Sequence, residues 1–217
     1  MRFVELNHVI SDGMPAYPGI PRPSIRPFLD HETSRAHYEN KAEFYMARYD
    51  IVGAVGTYLD SPFHRYRDGL DLSDLPLERL AGLPGVRLEG VPGVDRAVHC
   101  DCSGLDLTGR AVLVHTGWDR RWGRDDYWEI GPFLGPELLA TLLEARPALV
   151  GVDFWNVDDV MDPARPVHTG LLAQGSLVVE HLCDLEQLPP EGFRFYAVPL
   201  RVEGGASFPV RAFAELD

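Results

Sequence analysis

Cysteine is scarce in this sequence. Cys100, Cys102 and Cys183 are the only three in 217 residues, and an odd, low count in a chain this long excludes a disulfide framework. Cys100 and Cys102 lack the further ligands that a closed structural zinc site needs. Long apolar runs are also missing. No stretch approaches the ~18 apolar residues of a membrane span. Residues 1–19, MRFVELNHVISDGMPAYPG, hold no apolar core of the signal-peptide kind, so the cytoplasm is the expected compartment. Positive charge is in deficit: 20 Lys and Arg stand against 33 Asp and Glu, a net −13. Such a surface repels phosphate backbones and anionic lipids, which excludes nucleic acid and membrane surfaces as expected partners. Neither a Gly-x-Ser-x-Gly nucleophile elbow nor a Gly-x-x-x-x-Gly-Lys phosphate loop occurs, which removes the commonest serine-hydrolase and nucleotide-binding readings. No repeat, low-complexity tract or dividing linker breaks the chain, so residues 1–217 are expected to form one domain.

Hydrophobic residues make up 45% of the chain, enough for a sizeable core at this length. Residues 3–10 alternate loosely and suggest a strand. The prolines and glycines of 13–27, with Pro21, Pro23 and Pro27 last, suggest an ordered extended loop. Segments 44–50 and 53–60 have strand chemistry, interrupted by Gly53 and Gly56. Residues 71–80 suggest a turn and short helix with Ser73 as its N-cap. The apolar run 110–115 and residues 148–154 read as buried strands. Between them, Gly135-Pro136 followed by ELLATLLEAR predicts a helix, with proline in the first turn and leucines on one face. Residues 171–174 suggest a helical turn and 176–179 a strand. Segments 198–202 and 209–214 are expected to close the sheet, the first at an edge because of Pro199. Helix and strand in this order give an α/β architecture.

Chemistry concentrates in two stretches. In Gly56-Thr57-Tyr58-Leu59-Asp60-Ser61-Pro62-Phe63-His64, residues two or four apart on an extended chain share a side, so Tyr58, Asp60 and His64 can converge. Pro62 stiffens the step from Asp60 to His64, and Gly53 and Gly56 permit another backbone or a ligand to come close. A carboxylate and an imidazole so held suit a metal ligand beside a general acid/base; a surface turn with a capping Asp is the plainer alternative. In the second stretch His168 precedes a glycine-containing turn and Glu180 ends an apolar strand, where a charge is costly to bury unless paired or metal-bound. A core histidine and a solvated strand-end glutamate are the competing reading. Asp153 sits at a strand end, where α/β sheets often place functional groups. Asn156, Asp158 and Asp159 suggest a solvated turn. Trp118, Trp122, Tyr127, Trp128 and Trp155 suit packing, or an aromatic pocket. His115 and His181 suit buried, hydrogen-bonded roles.

Taken together, these residues resemble the metal-dependent cyclase/hydrolase family that includes bacterial kynurenine formamidase and isatin hydrolase. Its signature, His-x-Gly-Thr-His-x-Asp-x-Pro-x-His, is similar to Ala54-Val55-Gly56-Thr57-Tyr58-Leu59-Asp60-Ser61-Pro62-Phe63-His64. Asp12–Gly19, Asp68-Gly69, Leu75-Pro76-Leu77, His115-Thr116-Gly117-Trp118, Leu149–Asp153 and the His168 to Glu180 segment match in order. The resemblance implies a swivelling β/β/α fold of stacked mixed sheets with a barrel-like core and flanking helices, and a homodimer. It also implies roles: Asp60, His168 and Glu180 as metal ligands, His64 as general acid/base, and Tyr17, Phe63 and Trp118 as contacts to a small-molecule substrate.

Ala54 and Tyr58 stand where the family has two ligating histidines. Alanine cannot ligate, and a phenol with a pKa near ~10 is a poor ligand unless a metal lowers it. The resemblance therefore implies one divalent ion, zinc or manganese, with a metal-free state as the alternative. The expected activity is arylformamidase-like hydrolysis of a small amide, formamide, lactam or ester, with N-formylkynurenine of tryptophan catabolism as the family default. Tyr58 would then donate to the developing oxyanion in place of the lost ion. Two alternatives stand beside it: a metal-free lyase or cyclase using Tyr58 and His64, and a ligand-binding homologue without turnover.

Overall fold

The computed structural model describes residues 1–216. Nine strands form the main sheet. Its parallel heart is β5 (Leu83–Glu89), β8 (Ala111–His115), β10 (Leu149–Val152) and β11 (Leu177–Glu180), adjacent in that order. Antiparallel strands extend it on both sides. Beyond β5 lie β12 (Glu191–Tyr196), β14 (Phe213–Leu216) and β1 (Arg2–Glu5). Beyond β11 lie β4 (Tyr58–Asp60) and β13 (Ser207–Pro209). Two small sheets complete the strands: β2 (Ser24–Leu29) with β3 (Met46–Asp50), and β6 (Val91–Pro92), β7 (Ala97–His99) and β9 (Phe133–Leu134). The helices are α1 (His31–Ser34), α2 (Pro136–Ala145) and α3 (Pro166–Ala173).

The main sheet curls into a half-barrel. Past β1, Leu6 N donates to Ala212 O, Asn7 bridges Leu182 beyond β11, and His8 N donates to Thr57 Oγ1 ahead of β4. The chain leaving one edge of the sheet therefore meets the opposite side. Alternate residues of the central strands feed two cores. Ala111, Leu113, Leu149, Leu177 and Val179 pack inside the curl with Leu59, Phe193 and Phe195. Val112, Val114, Val150, Val152 and Val178 pack under α2 and α3 against Leu138, Leu142, Leu171 and Leu172. Strands buried on both faces read as continuous apolar runs, which is why 110–115 and 148–154 were legible as strands.

Several expectations are corrected. Of residues 3–10, the strand proper is β1, and only an isolated bridge follows at Asn7. The proline-rich stretch is not all loop: 24–29 form β2, which proline permits because a two-stranded ribbon has only edges and the pairing shifts register between Pro27 and Leu29. Residues 53–57 are irregular and only Tyr58–Asp60 is strand. Ser73 is not the cap expected; its N–H donates to Asp71 Oδ1, and the 3₁₀ turn Leu77–Arg79 begins behind Pro76. The turn placed at 171–174 is the end of a longer helix, α3, that carries His168. Residues 198–202 form no strand. The single strand expected at 209–214 is instead the end of β13 and the start of β14, with 210–212 between them; the sheet's edges are β1 and β13, and β5 had no strand pattern because Pro84 and Gly85 interrupt it. Gly85 is required there, since a Cβ would lie 2.0 Å from the Phe193 ring on β12.

Candidate active site

Strand β4 places Tyr58 and Asp60 on one face. Its neighbours bring their partners into register: Glu180 of β11 lies opposite Tyr58, and Ser207 of β13 lies opposite Asp60. Directly paired side chains point the same way. The Tyr58 hydroxyl accordingly donates to Glu180 Oε2, and the Ser207 hydroxyl to Asp60 Oδ1. Gly53 lets β13 sit this close, since a Cβ there would lie 2.3 Å from the Ser207 carbonyl oxygen. After Asp60, Ser61 is extended and Pro62 opens a single 3₁₀ turn ending at His64. That turn returns His64 to within 3.6 Å of Asp60 Oδ1 and 3.3 Å of Ser207 Oγ.

His168 enters from α3. Its Nδ1 lies 2.6 Å from Asp158 Oδ2; a carboxylate only accepts, so this nitrogen carries the proton and donates. Its Nε2 then faces Asp60 Oδ2 at 3.4 Å and Glu180 Oε1 at 3.5 Å. Asp158 also receives Val167 N at 2.6 Å and His168 N at 3.2 Å, fixing the first turn of α3. Glu180, fully buried, is held from its other side by Val157 N at 2.7 Å.

Burial opposes ionisation of Asp60, but hydrogen bonds from His168 and Ser207 and the charge of His64 outweigh it and hold its carboxyl low. Glu180 goes the other way: burial and the Asp60 charge push it up to about 7 against His168, Tyr58 and Val157 N. Burial, then the Glu180 and Asp60 charges, keep the Tyr58 phenol protonated far above its ordinary range. Burial also lowers His64, only partly offset by Asp60, which favours its neutral imidazole. Burial disfavours charge on His168 as well, yet Asp158, Asp60 and Glu180 raise it to about 10.

A cavity of about 280 Å³ opens over this cluster. Tyr17, Ala54, Tyr58, Asp60, His64, His168 and Glu180 line it, joined by Ile20, Arg65, Asn156 and Arg165. Six of the eight candidate catalytic, metal-ligand and substrate residues thus meet: Tyr17, Tyr58, Asp60, His64, His168 and Glu180. Phe63 and Trp118 do not line it. Phe63 lies on the Pro62–His64 turn, and Trp118 donates through Nε1 to Tyr127 O under the Arg121 guanidinium. Packing is likewise the role of Trp122, Tyr127 and Trp128, gathered around His181. Asp153 faces the Thr116–Gly117 loop, accepting both backbone N–H groups and the Thr116 hydroxyl. The solvated turn expected at 156–159 is corrected: Asn156 and Asp158 are buried, and Asp159 pairs with Arg96. Ser207 and Arg165 had no signal in sequence spacing, Asp158 looked like a turn residue because it meets His168 only through α3, and Arg65, next to His64, was passed over.

The donor set suits a divalent cation. Among the described residues, one group of His, Cys, Asp and Glu can bring three ligand atoms within 4.8 Å of one another: Asp60, His64 and His168. The sequence-expected set differs in one member, Glu180 for His64, and His168 Nε2 faces two of its carboxylates. An imidazole anchored through Nδ1 to a buried carboxylate, with Nε2 aimed between two more, is the arrangement that orients a metal-ligating histidine.

An α/β half-barrel thus gathers carboxylates and imidazoles at a small cavity, a donor set that could hold a divalent cation. The Cyclase family model ("Putative cyclase") matches residues 4–159, and the chain belongs to that family. A kynurenine formamidase of Salinibacter ruber is 32% identical over 162 residues, covering 73% of this chain and 74% of its own. One from Geobacillus thermodenitrificans is 26% identical over 217 residues, covering 97% and 95%. Isatin hydrolase A from Labrenzia aggregata shares the fold at a TM-score of 0.83 and 23% identity, over 99% of this chain and 93% of that one. A structure described as a potential metal-dependent hydrolase with cyclase activity superimposes at 0.74 with 22% identity, over 98% and 96%.

Proposed function

We propose that this protein is an arylformamidase-like hydrolase that cleaves the C–N bond of a small formamide or lactam. The observation that carries the reading is His168 Nε2 facing Asp60 and Glu180 at the wall of the cavity. Asp60, His168 and Glu180 would hold one zinc or manganese ion, leaving His64 for proton transfer. Such an ion supplies positive charge that polarises water and the substrate carbonyl. The protein's own part is proton handling and orientation. The His64 Nδ1 proton points to Ser207 Oγ, whose own proton goes to Asp60, and this leaves His64 Nε2 as a free base. His64 takes a proton from the attacking water and returns it to the leaving nitrogen as the C–N bond breaks. The products are a carboxylate and an amine. Tyr58 has its proton committed to Glu180, so its part is to position Glu180 rather than to meet the oxyanion. The same commitment weighs against a metal-free acid/base pair of Tyr58 and His64.

N-formylkynurenine is the substrate that the formamidase relatives suggest. A second copy of the chain is the expected partner, and the cytoplasm the expected compartment, since the three cysteines are all free. Elemental analysis of purified protein, with a chelator test on a panel of formanilides, isatin and aryl esters, decides the reading. One equivalent of zinc or manganese, activity lost to chelator, and both lost in His168→Ala are expected. Turnover that survives complete removal of metal, or full activity in Asp60→Ala and His64→Ala, would overturn it.

A further inference from the structure

Two guanidinium groups line the active cavity, and neither forms a salt bridge among the described residues. Arg165 stands just before α3 and touches only a neutral partner by its side chain, Nη1 donating to Asn156 Oδ1 at 3.2 Å. Arg65 follows His64 directly and is exposed at the rim. Several other arginines also lack an ion pair among the described residues, and others find carboxylates, as Arg96 does at Asp159 and Arg110 at Glu191; what sets Arg65 and Arg165 apart is that their side chains line the cavity. Arg165 is half-buried, and its backbone holds the left-handed conformation, φ 48°, which is unfavourable for a side chain of this size. A half-buried guanidinium without an anionic partner is costly unless a ligand supplies one.

The charges within the cavity point the same way. Asp60, Asp158 and Glu180 are engaged with His168, Tyr58, Ser207 and backbone N–H groups, and none reaches Arg65 or Arg165. With a divalent cation among those carboxylates, the two arginines add positive charge that the protein answers only at longer range, through Asp159 near Arg165, and Asp159 is itself paired with Arg96. A planar guanidinium matches a carboxylate in a two-point contact.

We propose that Arg165, assisted by Arg65, is the specificity determinant of this site and selects substrates that carry a carboxylate beside the scissile amide. This rests on the hydrolase reading above for its kinetic arm but not for its binding arm. In the kinetic arm, N-formylanthranilate, which carries an ortho carboxylate, is compared with formanilide, its neutral counterpart. Arg165→Gln is expected to lower kcat/KM for the charged substrate by about ten-fold more than for the neutral one. Most of that change should fall on KM, with Arg165→Lys recovering part of it. In the binding arm, calorimetry with benzoate and benzamide on the metal-loaded protein needs no turnover. Benzoate should bind tighter than benzamide, and Arg165→Gln should remove most of the difference. Arg65→Gln, a change at the exposed rim, should reduce it in part, and serves if Arg165→Gln does not fold. Equal binding of the two ligands by the unaltered protein, or a benzoate preference that survives in Arg165→Gln, overturns the proposal. Absence of turnover on both formamides with the benzoate preference intact would instead count against the hydrolase reading alone.

Discussion

His168 has both nitrogens assigned by its surroundings, and the consequences are local. Removing the charge that holds Nδ1, in Asp158→Asn, leaves the ligand nitrogen in place but less basic and less firmly aimed. Metal affinity should fall by about 10–100-fold, read by competition with a chromophoric chelator, while the fold persists. Tyr58→Phe strips Glu180 Oε2 of its donor in a fully buried setting. It should cost about 1–3 kcal/mol of stability, measured by urea unfolding. A third residue gives the protein an acid limb away from the site. His8 stacks on Trp122 at 3.8 Å, and burial pushes its pKa down to about 4 against the Asp184 charge. Unfolded, it would titrate near ~6.5. Between those values the unfolded chain binds a proton that the native chain refuses, so stability falls as pH drops from about 6.5 to about 4. His8 contributes up to roughly 3 kcal/mol to that loss. His181, pushed down to about 3 by burial, acts in the same direction. Thermal melts of His8→Gln across that range should show a shallower decline than the parent. At this scale the sequence was informative where a single residue was anomalous in its own segment: Asp60 beside Pro62, and Glu180 closing an apolar run. It was silent on Asp158 and Ser207, which look like ordinary turn residues until α3 and β13 bring them to His168 and Asp60.

Elements place these groups through register, so changes far from the chemistry should reach it. Gly53→Ala is the clearest case. The added Cβ would meet the Ser207 backbone carbonyl at 2.3 Å, and a backbone atom cannot rotate aside. Either β13 withdraws from β4 or residues 53–56 shift, and in both cases the Ser207 hydroxyl leaves Asp60. Formamide hydrolysis should drop by about ten-fold or more, as small misplacements in a positioned site do, with a stability loss of about 1–3 kcal/mol from overpacking. A kinetic assay beside a urea titration separates the two effects. The same close contacts explain which elements could be read in advance. Strands β8 and β10 and helix α2 carry unbroken apolar patterns and were recognisable. Strand β5 contains Pro84 and Gly85, residues that oppose a strand by propensity and are tolerated because Phe193 of β12 fills the space above Gly85. Helix α3 was mistaken for a turn because its apolar face is short and His168 and Gly170 interrupt it, while its start is fixed by Asp158, eight residues before Pro166.

The whole molecule carries a net charge of −13 and also displays apolar side chains on one projecting ribbon. Phe28 on β2 is 64% exposed and Tyr49 on β3 is 67% exposed, with Tyr38, Tyr45 and Met46 also open to solvent. A two-stranded ribbon is marginal on its own in water, and exposed apolar patches of this kind mark association sites. A second copy of the chain is the partner proposed above; if it docks on this ribbon, the charge makes the idea testable. Two copies of −13 repel one another, so association must be driven by apolar burial against an electrostatic cost. Salt screens that cost. The dimer should therefore tighten between low and physiological ionic strength, the reverse of an interface held by ion pairs. Phe28→Asp combined with Tyr49→Asp removes the apolar drive and adds further negative charge at the seam, and should give a monomer in sedimentation velocity at every salt concentration. A dimer that weakens as salt rises, or that survives the double substitution, would place the contact elsewhere on the surface.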